Sequence, residues 1–228
     1  MGSGTAGKNK KINMFTNKKI GLALGSGGAR GLAHIGVIKV LEEKGIKIDY
    51  IAGTSIGALI GALYCQTKNI QSVEDFALSM DWKMLAEVLF DFSFKGGMIS
   101  GEKVEKMLRH QLDNISFADL KIPLNIVCAD LRTGEKLVCD SGDVSQAVRA
   151  SISVPIIFKP FQKDDALLID GGLVEPVPVQ TVRKMGADYV IAVNLDAYHL
   201  RPKKNENFNN IPVVAEQIFN IASDMTPV

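Results

Sequence analysis

Ser55 is the residue whose surroundings most clearly predict chemistry. It lies between Gly53 and Gly57 in the pattern Gly-x-Ser-x-Gly, after a strand-like run at 48–52 and before a helix-like run at 56–64. Because glycine has no Cβ to clash with the neighbouring strand and helix, such a turn can be tight and can lift the serine hydroxyl out of a sheet. The pattern therefore predicts a nucleophile elbow with Ser55 as the nucleophile.

A second glycine-framed block, GSGGARG, covers residues 25–31. It follows an apolar run at 19–24 and precedes apolar residues at helical spacing over 32–44. The first N–H groups of a helix have no intrahelical partner, and the helix dipole adds partial positive charge, so this turn favours an oxyanion or a phosphate. A nucleotide site fits less well, because Arg30 replaces the third fingerprint glycine and no Gly-Lys-Ser/Thr forms a P-loop.

Asp170 is the candidate base. It ends the apolar run 166–169 and is followed by two glycines. Seen alone, Asp-Gly between strand-like segments is more typical of a hairpin turn. Together with Ser55, however, the pattern favours a catalytic base over a hairpin turn. A serine hydroxyl needs a base within hydrogen-bond distance before it becomes a good nucleophile.

At these residues the sequence resembles the patatin-like phospholipase family, in the form of its small bacterial members. Its motifs Gly-Gly-Gly-x-Arg/Lys-Gly, Gly-x-Ser-x-Gly and Asp-Gly-Ala/Gly are matched in order by 26–31, 53–57 and 170–172. Ser26 replaces the first glycine of the first motif. Further similar stretches extend the resemblance over about 20–196, and they lie at 98–102, 117–123 and 150–155.

The resemblance implies a Ser-Asp dyad without histidine. Ser55 would be the nucleophile and Asp170 the base, and the N–H groups of Gly27 and Gly28 would bind the oxyanion. The implied activity is hydrolysis of lipid esters, of the phospholipase A or lysophospholipase type, through an acyl-serine intermediate and without a metal or organic cofactor. An acyltransferase, or a lipid-binding regulatory protein on the same scaffold, is the alternative.

The composition predicts an α/β domain with one large core. The chain has 228 residues, of which 46% are hydrophobic and 22% charged. A net charge of +1 argues against a general nucleic-acid surface. Strand-like runs alternate with helical stretches, which predicts a three-layer α/β/α sandwich with a mainly parallel central sheet. Beyond the runs already named, the strand-like segments are 124–129, 136–139 and 189–195.

Residues 1–18 are predicted to be a flexible lead, and 19–228 a single patatin-like domain. The lead begins Met-Gly-Ser-Gly, which is typical of an expression-tag remnant, and no apolar core of a signal peptide follows its lysines. The longest apolar stretch, 51–65, is too short to cross a bilayer. Three cysteines without a Cys-x-x-Cys pattern indicate reduced thiols. We therefore expect a cytoplasmic protein that contacts lipid at a membrane surface.

Three features leave alternatives open. Arg30 is either a structural residue at a helix start or a contact for an anionic head group. His199, the only histidine after Asp170, keeps a Ser-acid-His triad open. The aromatic segment 81–97 is read as a core-packing helix in preference to a lid over the acyl chain. His34 and His110 are predicted to be packing or surface residues.

Overall fold

The computed structural model describes residues 18–79 and 101–195. Most of the predicted lead, the aromatic segment 81–97 and His199 lie outside these ranges. The strands are β1 Ile20–Leu24, β2 Tyr50–Thr54, β3 Leu124–Asp130, β4 Lys136–Cys139, β5 Phe161–Lys163, β6 Ala166–Asp170 and β7 Tyr189–Val193. The helices are α1 Leu32–Glu43, α2 Ile56–Thr67, α3 Ile70–Ser79, α4 Glu102–Gln111, α5 Val144–Ser151 and α6 Val179–Lys184, with 3₁₀ turns at Gly28–Gly31, Phe117–Asp119 and Gly171–Leu173.

The strands form one seven-stranded sheet in the order β5-β6-β3-β2-β1-β7, with β4 also paired to β3. β7, β1, β2 and β3 are parallel, whereas β4, β5 and β6 pair antiparallel. The connections from β3 to β4 and from β5 to β6 are too short for a parallel crossover, so these strands form hairpins. The predicted α/β class is confirmed, with a mixed sheet whose parallel half is the run from β7 to β3.

Helices cover both faces of this sheet. Side chains alternate along β1, so that Leu22 and Leu24 enter the main core with α1, α2 and α3, while Ala23 faces the other way. Ala23 packs there with Val182 of α6. A Cβ on Gly21 would lie 2.7 Å from Val182 Cγ2. Small residues on this face therefore let α6 pack close to the parallel strands, which completes the three layers.

The pairing of β3 brings two strand ends together. β4 occupies one edge of β3 over residues 126–129. On the other edge, β2 pairs with 124–127 and β6 pairs with 128–130. β2 and β6 therefore approach each other end to end along the same edge. As a result Ser55, which follows β2, comes beside Asp170, which ends β6.

The start of α2 packs directly on the end of β1. A Cβ on Gly57 would lie 2.1 Å from the Leu24 carbonyl oxygen, and a Cβ on Gly53 would lie 2.5 Å from the Gly57 carbonyl oxygen. No side chain fits at either position without a shift of the backbone. Both elbow glycines are thus required by packing.

Within 18–79 and 101–195, no helix has the length and apolar character needed to cross a membrane.

Gly57→Ala should destabilise the fold, because the added methyl group meets backbone atoms. Overpacking of this kind typically costs about 1–3 kcal/mol, which corresponds to a fall in Tm of several degrees. Gly36→Ala is the matched control, since a Cβ at that exposed position in α1 would meet nothing within 4 Å. Its Tm should stay constant or rise, because alanine favours helix. Equal Tm values for the two variants in thermal unfolding would contradict the packing account.

Candidate active site

Ser55 occupies a strained backbone conformation between β2 and α2. Its φ is 55° and its ψ is −122°, in a region that residues other than glycine seldom adopt. Such a conformation costs on the order of 1–3 kcal/mol and persists only where the surroundings impose it. The Ser55 N–H donates to Ser151 Oγ at 2.9 Å, and that hydroxyl donates to the Val127 carbonyl at 2.7 Å. The end of α5 thus connects the elbow to β3.

The Ser55 hydroxyl donates a hydrogen bond to Asp170. The distance from Oγ to Oδ2 is 2.5 Å. The other carboxylate oxygen, Oδ1, accepts the N–H of Gly172 at 2.8 Å, and the Asp170 N–H donates to the Ser153 carbonyl at 3.0 Å. Asp170 is completely buried, so each of its oxygens has a protein partner and its orientation is set from both ends of the residue.

Burial changes the acidity of Asp170. Desolvation is the largest effect and raises the pKa to about 7, while the hydrogen bonds from Ser55 and Gly172 act in the opposite direction. A base whose pKa lies near the working pH can be ionised and still hold a proton during the reaction. The environment of Asp170 therefore suits transfer of a proton from Ser55.

The glycine loop after β1 is anchored by hydrogen bonds at its first two residues. Gly25 N–H donates to the Val193 carbonyl at 3.1 Å, and Ser26 N–H donates to the Pro176 carbonyl at 2.8 Å. His34 Nε2 lies 2.8 Å from the Gly25 carbonyl oxygen. Since a carbonyl only accepts, Nε2 carries the hydrogen. Burial lowers the pKa of His34, so this ring is held neutral.

Two contacts join this loop to the elbow. A Cβ on Gly31 would lie 2.0 Å from Cγ1 of Ile56, the residue after Ser55. A Cβ on Gly57 would lie 2.8 Å from the Gly25 carbonyl oxygen. The loop and the nucleophile turn therefore pack against each other so closely that no side chain fits at Gly31 or Gly57.

Arg30 holds the middle of the loop. Its Nε and its backbone N–H both donate to the Gly27 carbonyl, at 3.1 and 3.2 Å. In a trans peptide the C=O and the N–H point in opposite directions, so the Gly28 N–H is directed away from this pair of bonds. Within 18–79 and 101–195, neither Gly27 N–H nor Gly28 N–H donates to a protein atom.

The backbone angles of the loop explain its glycines. Gly27 has φ 152° and Gly28 has φ 55°. A Cβ on Gly28 would have no neighbour within 4 Å, so the space beside it is open. At Gly27, by contrast, a Cβ would lie 2.8 Å from Leu195 Cβ. A free N–H group beside open space, as at Gly28, is what a site for a developing negative charge requires. The loop can therefore serve as an oxyanion site.

The structure brings Ser55 and Asp170 together and packs the Gly27–Gly28 loop against their elbow. His34, expected to be a packing or surface residue, is buried and also bonds the loop, whereas His110 is exposed on α4. The sequence reasoning missed the roles of Ser151 and Ser153. Both lie in the stretch 150–155 that carries the family resemblance, but a serine at or just after the end of a helix does not reveal its hydrogen-bond partner.

A model of the family described as patatin-like phospholipase matches residues 22–183. An uncharacterized NTE family protein of Mycobacterium tuberculosis is 34% identical over 199 residues, which are 87% of this chain and 55% of that protein. The neuropathy target esterase sws of Drosophila melanogaster is 36% identical over 186 residues, which are 79% of this chain and 13% of that protein.

The chain thus spans about half the length of its mycobacterial relative and a small part of the Drosophila protein. Among solved structures, VipD from Legionella pneumophila shares the fold, with a TM-score of 0.53 and 15% identity over 68% of this chain and 46% of VipD. The family match covers most of the chain and includes the elbow, the glycine loop and Asp170. By this match and by its fold, the chain belongs to the patatin-like phospholipase family.

Proposed function

We propose that this protein is a serine acyl hydrolase of lipid esters, of the phospholipase A or lysophospholipase type. The observation that carries the proposal is the direct hydrogen bond from Ser55 Oγ to the buried Asp170 Oδ2. A binding protein has no need for a hydroxyl held against a carboxylate of raised pKa. Membership of the family and the esterase name of the Drosophila relative support the same reaction class.

In the first half of the proposed reaction, Ser55 Oγ attacks the ester carbonyl carbon while Asp170 accepts its proton. The carbonyl oxygen becomes an oxyanion, which the N–H groups of Gly27 and Gly28 bind. Collapse of this intermediate breaks the ester bond, and Asp170 gives its proton to the leaving alcohol. Ser55 is left acylated. In the second half, Asp170 takes a proton from water, the hydroxide attacks the acyl group, and the fatty acid leaves as Ser55 regains its proton.

Electrostatics of the turn would assist both halves. Ser55 is the residue immediately before α2, where the partial positive charge of the helix N-terminus favours a developing alkoxide. An oxyanion donor of the kind proposed for Gly27 and Gly28 is typically worth about 2.7–4 kcal/mol of transition-state stabilisation. These contributions to transition-state stabilisation compensate for the use of an aspartate, which at its ordinary pKa is a weaker base than histidine.

A two-residue dyad fits the described residues better than a triad. In a triad the acid orients a histidine, and the histidine takes the serine proton. Here Asp170 accepts the Ser55 hydroxyl directly, and its second oxygen is bonded to Gly172. Of the histidines within 18–79 and 101–195, His34 is bonded to Gly25 and His110 is exposed. We therefore assign the base to Asp170 itself.

We propose a cytoplasmic setting with lipid contact at a membrane surface. The three cysteines of the chain, Cys65, Cys128 and Cys139, are all free and buried, as expected for a reducing compartment.

The first functional prediction concerns Ser55. A fluorophosphonate probe should label the parent protein covalently at Ser55. Ser55→Ala should abolish both labelling and hydrolysis of p-nitrophenyl esters, because within residues 18–79 and 101–195 Ser55 is the nucleophile that is bonded to Asp170. Peptide mapping identifies the labelled residue. Ser145→Ala is a control, since this buried serine is bonded to the Asp143 cap of α5. Parental rates in the Ser55→Ala variant would refute the assignment of the nucleophile.

The second prediction concerns the ionisation of Asp170. Only the ionised carboxylate accepts a proton, so kcat/KM should fall as the pH drops through about 7, the pKa of the buried group. Asp170→Asn should lower turnover by roughly a hundredfold or more, the scale for loss of a general base, and should remove this pH dependence. A parent profile that stays flat down to pH 5 would contradict a base of raised pKa.

Asp170→Asn should lower activity without lowering the thermal stability of the protein. The folded-state pKa of about 7 lies above the ordinary aspartate value of 3.8, so folding favours the neutral carboxyl group. That stabilisation is complete below pH 3.8 and is lost as the pH rises through about 7. At pH values above 7, Asp170→Asn should therefore unfold at the parent Tm or higher. A lowered Tm there would mean that the lost activity reflects damage to the fold.

The third prediction separates the two roles that the sequence allowed for Arg30. If Arg30 positions the Gly28 N–H, Arg30→Ala should lower kcat by roughly tenfold or more on both phospholipid and p-nitrophenyl ester, with little change in KM, because oxyanion contacts act in the transition state. A head-group contact would instead raise KM for phospholipid alone. Arg183→Ala, at an exposed position on α6, is the control. A loss confined to phospholipid would overturn the positioning role.

A further inference from the structure

Ile156 has a backbone conformation that is unfavourable for its residue type. Ile157 N–H donates to the Val154 carbonyl at 3.2 Å, which closes a turn with Pro155 and Ile156 at its centre. Ile156 has φ 72°. Proline followed by a residue of positive φ is the pattern of a type II turn, whose third position normally holds glycine or asparagine. A β-branched residue there is an outlier that costs on the order of 1–3 kcal/mol.

The folded core does not compensate for this strain. The Ile156 side chain is 45% exposed, whereas the next two residues, Ile157 and Phe158, are buried. An apolar side chain that is both strained and exposed contributes little to folding, since the hydrophobic effect rewards only the surface removed from water. Glycine would satisfy this turn at lower cost. The presence of isoleucine therefore points to a contact that the side chain makes outside the core formed by residues 18–79 and 101–195.

The turn starts from the segment that holds the catalytic pair. Ser151 Oγ accepts the N–H of Ser55, and the Ser153 carbonyl accepts the N–H of Asp170. Three residues of extended chain cover at most about 11 Å, so Ile156 lies within that distance of Ser153.

The segment before the turn is also held in place. Arg149 Nη1 donates to Ser153 Oγ at 2.5 Å, and its guanidinium lies 5.0 Å from the centroid of the Phe158 ring. Ile156 is thus an exposed apolar group on a braced turn, three residues after the serine whose carbonyl bonds the proposed base.

We propose that Ile156 contacts the acyl chain of the substrate and favours esters of longer chains. This inference rests on the proposed acyl hydrolase function. In a lipid ester the acyl chain is the apolar part bonded to the carbonyl that Ser55 attacks, so it is the apolar partner for an exposed side chain on the segment that holds Ser55 and Asp170. A short acyl group offers fewer methylene groups for this contact. Ile156 therefore discriminates between chain lengths without taking part in the reaction.

The test compares p-nitrophenyl butyrate with p-nitrophenyl decanoate, both below their micellar concentrations. Ile156→Gly and Ile156→Asn both suit positive φ and both remove the apolar surface. Each should lower kcat/KM for the decanoate by about tenfold, which is the effect of losing contact with roughly two methylene groups. The kcat/KM for the butyrate should stay within about twofold of the parent value. The butyryl chain has fewer methylene groups, so it has less contact area with Ile156 to lose. The Tm of Ile156→Gly should be unchanged or higher, since the strain is released.

Val40→Asn is the matched control, because Val40 is a similarly exposed β-branched residue on α1. It should leave the ratio of decanoate to butyrate unchanged. A parallel loss on both esters, an unchanged ratio in both Ile156 variants, or a loss seen only on phospholipid vesicles would overturn the proposal. Failure of the underlying function is recognised separately: Ser55→Ala would then retain parental rates on both esters.

Discussion

The hydrogen bond between Ser55 and Asp170 is the contact that the sheet, the elbow and the end of α5 together position. It places a carboxylate with no solvent exposure against a serine hydroxyl, with one further hydrogen bond from Gly172. Desolvation by the surrounding strands raises the pKa of Asp170 to about 7. A solvated aspartate at the same distance would be ionised at neutral pH but would have little tendency to take a proton. Burial and proximity together make this carboxyl group suitable as a base.

Several features of the fold exist to make that contact geometrically possible. β2 and β6 must meet end to end on the same edge of β3, which requires β6 to run antiparallel to β3. Ser55 must adopt a positive φ, and Gly53 and Gly57 must be free of side chains. The serines at the end of α5 then hold both partners by hydrogen bonds. The strain at Ser55 is therefore offset by packing and by hydrogen bonds from neighbouring elements.

The parts of the site that could be predicted from sequence are those encoded in local backbone requirements. Glycines flanking Ser55 and the block at 25–31 specify turns, and their positions after apolar runs place them at strand ends. Asp170 was ambiguous, because Asp-Gly is also a hairpin pattern, and only its combination with Ser55 and the family resemblance favoured a catalytic role. The comparisons confirm the family and the α/β class, while the catalytic roles stay predictions.

Other features depend on tertiary contacts that sequence patterns do not carry. A short apolar run looks the same in a parallel and an antiparallel strand, so the hairpins formed by β4, β5 and β6 were not anticipated. Nothing in the stretch 150–155 indicated that Ser151 and Ser153 bond to the catalytic pair. The conformation of Ile156 was equally hidden, because Pro-Ile is unremarkable as a dipeptide and its positive φ arises only in the folded turn.

Trapping the intermediate decides whether Ser55 forms a covalent bond to the acyl group, the step in which Asp170 is proposed to act as base. The protein is mixed with a long-chain p-nitrophenyl ester, quenched in acid within the first turnover, digested with trypsin and examined by mass spectrometry. We expect the peptide of residues 48–68, which contains Ser55, to gain the mass of the acyl group. An acyl group found on another residue, or product release from an enzyme that is never acylated, would contradict covalent catalysis by Ser55.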